Sequence, residues 1–200
     1  MNNMKTRNIT LAAALCGTLG LMAQSNQISL GADLGLPLDP LSKEYTFLVG
    51  PTAGFELPVG DKLALTLHVS YLLPQAKSDF KEVLSSASMI PAQLGLKYFF
   101  QESQNGLYGH AQVGIHAFSE SFKDFDETVN GVTVHFDGES HTATNLSWAV
   151  GAGYQLEKFD IGLRYNMILP EAEAEEEGEE AEAKSYIGLR VAYLLSLGGN

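Results

Sequence analysis

Two groups of neighbouring residues have the types needed for nucleophilic catalysis. His116 is followed by Ser119 and Glu120, and His141 is preceded by the dipeptide Glu139-Ser140. A serine becomes a nucleophile when a histidine takes its proton and an acid orients that histidine. Neighbours on a strand point to opposite faces, so the second group needs a turn in order to assemble. We therefore interpret both groups as ordinary loop residues and expect no catalytic site.

Metal binding has two weak candidates. His110 and His116 are six residues apart on one strand face, so about 20 Å separates them and they cannot share an ion. Eight glutamates lie between Glu171 and Glu182. This run lacks the Asp and Gly spacing of a dedicated calcium loop, and its like charges repel one another. We interpret it as a solvated surface segment and expect no metal or cofactor.

The elements that would position these residues are eight short stretches in which every second residue is apolar. Between Phe159 and Met167, for example, the odd positions are apolar and the even positions hold Asp160, Arg164 and other polar or small residues. Side chains alternate across a β-strand, so each stretch predicts a strand with one uncharged face. The eight stretches are 28–36, 49–57, 63–71, 90–98, 110–117, 146–154, 159–167 and 186–195.

Connections between the predicted strands alternate in length. With both termini at one end, the tight turns 59–62, 101–105 and 157–158 fall at that same end. The long connections fall at the other end, at 37–46, 74–88, 119–144 and 169–184. Within 119–144, the segment Thr128–Val134 predicts a hairpin with an Asn-Gly turn, so the fifth and sixth predicted strands are expected to extend above the membrane. Short turns opposite long loops are typical of outer-membrane barrels.

The composition of the two faces indicates which one is outside. The polar face is rich in glycine, whereas a strand face in water normally carries Lys, Glu and Thr. Five tyrosines and the sole tryptophan lie on the apolar face, as an interfacial girdle requires: Tyr71, Tyr98, Trp148, Tyr154, Tyr165 and Tyr193. We predict an all-β, eight-stranded antiparallel up-and-down transmembrane β-barrel with short periplasmic turns and long extracellular loops. A soluble lipocalin-like barrel, with the apolar face inside, is the alternative.

The inward face then carries a set of ionisable residues: Asp33, Glu56, His68, Lys97, His110, Asp160, Arg164 and Arg190, together with His116. Its acids and its lysine and arginines are equal in number, so the interior is formally neutral. The last strand must pair with the first to close the sheet, which brings Asp33 and Arg190 together. Because an unpaired buried charge is costly, we predict a salt-bridge and hydrogen-bond network that fills the lumen. A gated ion path or a catalytic cluster is the alternative. Pro51 and Pro91 are expected near strand ends or at bulges.

The N-terminal residues predict a secretory leader. Lys5 and Arg7 precede an apolar run at 9–22, and Ala23 supplies a small residue before the cleavage site. Residues 1–23 form the predicted signal peptide and residues 24–200 the barrel domain, with a buried N-terminal helix as the alternative. The only cysteine, Cys16, lies in the leader, so the mature chain offers no disulfide. The formal net charge of −12 argues against nucleic acid as a partner.

Four segments carry a resemblance to known proteins: the Ala23-Gln24 junction, Gly153-Tyr154, Ile-Gly-Leu-Arg-Tyr at 161–165, and the closing stretch 185–195. In these the chain resembles the small eight-stranded outer-membrane barrels of OmpA type. It resembles more closely the outer membrane protein beta-barrel domain proteins of Bacteroidota. The resemblance implies a Gram-negative outer membrane, contact with its lipid and lipopolysaccharide, and insertion by the barrel-assembly machinery. One departure is the segment 195–200 after Tyr193, where family members often end on an aromatic residue.

These expectations combine into a functional hypothesis. The chain is expected to be a non-enzymatic integral outer-membrane barrel with a filled lumen. Its role would be envelope-structural or surface-interacting, with partners reached through the loops 119–144 and 169–184. The alternatives are a lipid-A-modifying enzyme, a small pore, and a soluble periplasmic lipocalin-like carrier.

Overall fold

The structure, a computed structural model, describes residues 26–81, 84–102, 104–129, 132–136, 138–170 and 182–197. The predicted leader at 1–23 and residues 171–181 of the glutamate run lie outside these ranges. Strands make up nearly all of the described chain: β1 Gln27–Pro37, β2 Tyr45–Pro58, β3 Leu63–Ser70, β4 Leu73–Ala76, β5 Leu84–Phe99, β6 Gly106–Phe122, β7 Phe125–Val129, β8 Val132–Phe136, β9 Ser140–Gln155, β10 Phe159–Ile168 and β11 Lys184–Ser196. A 3₁₀ turn at Leu41–Lys43 and a helix α1 at Ser78–Lys81 lie in the connections. Among the described residues, no helix is long and apolar enough to cross a bilayer.

The strands close into one barrel. β11 pairs with β1, β1 pairs with β2, and each remaining barrel strand pairs with its neighbours in chain order. β3 and β4 both pair with β2, one after the other, and together occupy one strand position. The barrel therefore has the predicted eight strand positions. Following the register from Gln27 around the barrel returns to β1 at Pro37, not at Gln27. This stagger tilts the strands against the barrel axis.

The gap between β3 and β4 has its cause in two prolines on the flanking strands. The Tyr71 N–H donates to the Pro51 carbonyl at 3.0 Å, but Pro51 has no N–H to return that bond. Pro91 lies opposite the same gap on β5, between the pairs that β5 forms with Val69 and with Leu72. Both prolines therefore lie inside their own strands, β2 and β5. The strand that is interrupted lies between them, at the gap between β3 and β4.

The exposure pattern of the barrel strands is the reverse of the pattern in a water-soluble protein. Along β3 the apolar residues Leu63, Leu65, Leu67 and Val69 are 40–45% exposed, whereas the intervening residues are buried. Large exposed apolar side chains recur in this way on every barrel strand of the described chain. An apolar outer face and a polar inner face are the arrangement that a lipid environment stabilises.

Several strands continue past their stretches of apolar alternation, as the hairpin predicted for β6 and β9. β5 begins at Leu84, β6 continues to Phe122, and β9 begins at Ser140. Beyond the apolar band the outward side chains become polar, so alternation ends, but backbone pairing continues because it does not depend on lipid. The predicted hairpin is present as the β7–β8 pair, and its Asn130-Gly131 turn lies outside the described residues. Leu57, predicted to face outward, is buried, because alternation is lost over the last residues of β2.

Candidate functional site

The lumen contains a buried lysine at the end where the short turns lie. Lys97 on β5 is fully buried, and its Nζ donates to Glu56 Oε2 at 2.7 Å, Gln155 Oε1 at 2.9 Å and Asp160 Oδ2 at 3.3 Å. These acceptors use all three ammonium hydrogens. The Tyr108 ring covers the same ammonium group at 4.3 Å from its centroid. We call these five residues the basal cluster. Its two acids and one base come from β2, β5 and β10, so the cluster connects three strands across the lumen.

Two glycines make room for the tyrosine of the basal cluster. The Tyr108 hydroxyl donates to Asp160 Oδ1 at 2.7 Å. A Cβ at Gly153 would lie 2.2 Å from that hydroxyl oxygen, and a Cβ at Gly162 would lie 2.8 Å from it. The predicted glycine-rich inner face is therefore needed here because a large ring passes directly over the backbone.

A second polar layer lies in the middle of the barrel around Asp33. The Arg164 guanidinium donates to Asp33 Oδ2 at 3.0 Å, and the Ser70 hydroxyl donates to the same oxygen at 2.6 Å. Arg164 also donates to Gln112 Oε1 at 3.1 Å, and Gln112 contacts Nδ1 of His68 at 2.7 Å. The Asp33 carboxylate on β1 is thus joined, directly or through Arg164, to side chains from three other strands, β3, β6 and β10.

Arg190 connects this layer to the basal cluster. Its guanidinium donates to Ser29 Oγ at 2.5 Å, contacts Nε2 of His68, and lies 3.8 Å from Asp160 Oδ2. The expected meeting of Asp33 with Arg190 is correct for the backbone, since the two are register partners. It is wrong for the side chains, because Arg190 turns away and Asp33 pairs with Arg164.

All eight ionisable residues chosen from the sequence are buried, with exposed fractions from 0 to 8%. Seven are joined by hydrogen bonds or ion pairs that run from Glu56 to Asp33. His110 instead bonds Thr66 Oγ1 at 3.0 Å and packs its ring against His68 at 5.5 Å. Several neutral partners were not chosen, although the same alternation places them inside: Ser29, Ser70, Thr66, Tyr108, Gln112 and Gln155.

The outer end of the lumen is apolar. We call the residues that fill it the outer apolar cluster: Leu41, Tyr45, Leu48, Leu72, Met89, Ile168 and Tyr186. The Tyr45 ring lies edge-on to Phe80 and Phe118, at 5.6 and 6.0 Å between centroids. Packed side chains therefore lie across the lumen above the polar layers.

The two groups with catalytic residue types are dispersed. His116 is fully buried and its Nε2 bonds the Tyr186 hydroxyl at 3.0 Å. Ser119 bonds Thr142 at 2.9 Å, and Glu120 accepts a hydrogen bond from Tyr45. In the second group, the Ser140 hydroxyl bonds Ser121 at 2.9 Å. Within the described ranges, no group of three or more His, Cys, Asp or Glu side chains could hold a metal ion.

The outer rim carries one carboxyl group with a perturbed pKa. Glu44 lies between the 3₁₀ turn and β2. Partial burial raises its pKa above the ordinary value of 4.5, and the negative charge of Glu120 raises it further. The Lys184 ammonium opposes this shift, but its effect is smaller. The folded rim therefore holds the proton of Glu44 more tightly than an unfolded chain does.

Fold and lumen together define a closed transmembrane β-barrel of the outer-membrane class. The chain belongs to the outer membrane protein beta-barrel domain family, whose sequence model matches residues 9–193. The resemblance drawn from the sequence, the barrel fold and the outer-membrane location are thereby confirmed. No curated protein matches the chain in sequence.

Solved structures show the same fold at low sequence identity. Ail, the attachment invasion locus protein of Yersinia pestis, is 12% identical with a TM-score of 0.56, over 87% of this chain and all of Ail. The N-terminal barrel domain of Pseudomonas aeruginosa OprF is 13% identical with a TM-score of 0.51, over 86% of this chain and 98% of that domain. Neisserial surface protein A is 13% identical with a TM-score of 0.50, over 87% and 98%. A further structure shows Ail with the heparin analogue sucrose octasulfate.

Proposed function

We propose that this outer-membrane protein is a non-enzymatic barrel with a filled lumen, whose role is structural in the envelope or interactive at the cell surface. In this role the strands hold the chain in lipid, and the connections 119–144 and 169–184 contact partners outside the cell. Lipopolysaccharide surrounds the outer rim, and the barrel-assembly machinery inserts the chain.

The observation that carries the proposal is the succession of layers inside the barrel. The basal cluster fills the end with the short turns, the Asp33 layer fills the middle, and the outer apolar cluster fills the far end. Acids and bases in these layers are paired, which offsets the cost of burying them. A lumen occupied in this way favours an anchor over a pore.

The dispersed catalytic residue types support the non-enzymatic part of the proposal. A serine hydrolase needs its nucleophile within hydrogen-bond reach of its base. Ser119 and His116 instead bond to other partners, Thr142 and Tyr186. The likeness to Ail supports a ligand-binding role for a barrel of this fold. The acidic composition of this chain, however, disfavours a polyanion like the one that Ail binds.

Single-channel recording in planar bilayers tests the filled lumen. The native barrel is expected to give no discrete conductance steps. A Lys97→Ala/Tyr108→Ala variant, which empties the basal cluster, is the control that shows how an opened lumen conducts. Discrete steps from the native protein would overturn the proposal and favour a small pore.

Complementation of a deletion strain tests the loop role. A variant in which a short turn replaces residues 123–139 retains all eight strand positions of the barrel, and heat-modified gel mobility checks that it folds. If the loop contacts partners, this variant will not restore the envelope or surface phenotype that the native chain restores. Full restoration by the shortened barrel would contradict a role for this loop.

A further inference from the structure

A cavity of about 260 Å³ opens at the outer end of the barrel, beside the outer apolar cluster. Its walls are mainly apolar and include Leu41, Met89, Phe118 and Ile168. Pockets for drug-sized ligands measure roughly 300–1,000 Å³, so this cavity suits a smaller solute with a single ring. These apolar walls favour binding of an apolar solute, because its surface is buried from water.

His116 places polar atoms deep in this cavity. His116 lines it two residues further into the barrel than Phe118, on the same face of β6, and is fully buried. Its Nε2 bonds the Tyr186 hydroxyl, while its Nδ1 has no hydrogen-bond partner among the described residues. A buried polar atom without a partner costs free energy, which a ligand that bonds it recovers.

Among the described residues that line the cavity, two are charged, one of each sign. Glu182 and Lys184 both line it and are separated by a single residue. The Lys184 ammonium lies 5.1 Å from the centroid of the Phe118 ring, so it is held at the cavity wall. An acid and a base two positions apart at the cavity rim suit a solute that itself carries one cation and one anion.

We propose that the cavity binds a small zwitterion with an aromatic body and a hydrogen-bonding tip, for which tyrosine is the simplest probe. The aromatic ring occupies the apolar walls, and the hydroxyl at its tip bonds Nδ1 of His116. The carboxylate of the solute pairs with Lys184 and its ammonium with Glu182. The cavity is lined by Leu41, Met89 and Ile168 of the outer apolar cluster, but by no residue of the Asp33 layer or the basal cluster, so the polar layers that fill the lumen below it do not depend on this site.

Equilibrium dialysis with radiolabelled L-tyrosine, on the full chain in lipid nanodiscs, tests the proposal. Saturable binding is expected, with empty nanodiscs as the blank. Three competitors each lack one group: phenylalanine the hydroxyl, tyramine the carboxylate, and 3-(4-hydroxyphenyl)propionate the amine. Each is expected to bind about tenfold more weakly than tyrosine, since each leaves one buried or charged group without its partner.

Variants assign each preference to its residue. Lys184→Met should remove the preference for tyrosine over tyramine, and Glu182→Gln the preference over the propionate. His116→Leu should remove the preference over phenylalanine. Lys158→Met makes the same charge change at the opposite end of the barrel and should leave all affinities unchanged. If His116→Leu fails to fold, the two rim variants still decide the question.

Two results would overturn the proposal. The first is the absence of saturable tyrosine binding to the native chain above the nanodisc blank. The second is equal binding of tyrosine and its three analogues, unaltered by Lys184→Met, which would show partition of aromatic solutes into the membrane.

Discussion

Asp33 and Arg190 lie directly opposite each other on β1 and β11, yet their charges are neutralised by other residues. Asp33 pairs with Arg164 at 3.0 Å, and Arg190 lies 3.8 Å from Asp160. The long arginine side chain extends past the short carboxylate beside its own backbone and reaches another layer. The closure of the barrel therefore links the polar layers into one network, not a set of neighbour pairs.

Arg164→Leu is expected to be more damaging than Arg190→Leu. Arg164 supplies the ion pair of Asp33 among the described residues, whereas Asp160 keeps Lys97 when Arg190 is removed. Breaking a buried pair by removing one partner costs about 3–5 kcal/mol, so Arg164→Leu should lower the free energy of unfolding by that amount. Arg190→Leu should cost about 1–3 kcal/mol.

Urea titration of the refolded barrel, followed by heat-modified gel mobility, measures both losses. Lys158→Leu, a change in an exposed turn, serves as the control. Unchanged stability of both arginine variants would show that the network does not hold the barrel together.

Lys97→Met is expected to destabilise the barrel by about 3–5 kcal/mol, because it leaves Glu56 without a cation in a buried site. Adding Glu56→Gln removes that unpaired charge, so the double variant should regain part of the loss. The measurement is a double-mutant cycle by urea unfolding. Additive losses would contradict direct coupling of the two charges.

Gly50→Ala should destabilise the barrel by about 1–3 kcal/mol through overpacking. A Cβ at this position would lie 1.8 Å from the Tyr71 carbonyl oxygen. That carbonyl is opposite Pro51, which has no N–H to bind it. Adding Pro51→Ala supplies the N–H and lets the carbonyl turn back into the ladder, so it should rescue part of the loss.

Gly109→Ala is the matched control for this pair, because a Cβ at Gly109 meets no atom within 4 Å. Its unfolding free energy should be nearly unchanged. A Pro51→Ala change that deepened the Gly50→Ala defect would contradict the role given to the missing N–H.

Glu44→Gln should stabilise the outer rim at neutral pH. Burial raises the pKa of Glu44 above its unfolded value, so the folded chain binds this proton more tightly. Stability from this group therefore increases as the pH falls through the raised pKa. The advantage of Glu44→Gln over the native chain should shrink between pH 8 and pH 4, as measured by urea unfolding. Glu157→Gln in an exposed turn is the control; an advantage independent of pH would contradict the assignment.

The sequence by itself determined the strands, their faces and the end of the barrel at which each connection lies. A strand has a period of two, so alternation assigns the side chains of a regular strand to lipid or lumen, and it fails at Leu57, where alternation is lost at the end of β2. Glycine on the polar face and aromatic residues on the apolar face then decide which one is outside. All eight ionisable residues chosen in this way lie in the lumen.

Only the tertiary structure decided which buried charges pair. Alternation shows on which face a side chain lies, but not how far that side chain extends across the lumen. The stagger of the closed barrel places side chains from distant strands at the same level along the barrel axis. Lys97 meets Gln155 and Asp160 across the lumen for this reason, and Arg190 bypasses Asp33. The extension of β6 and β9 beyond the apolar band was predicted from the hairpin between them, but the extension of β5 to Leu84 was not, since backbone pairing there continues without the pattern that lipid imposes.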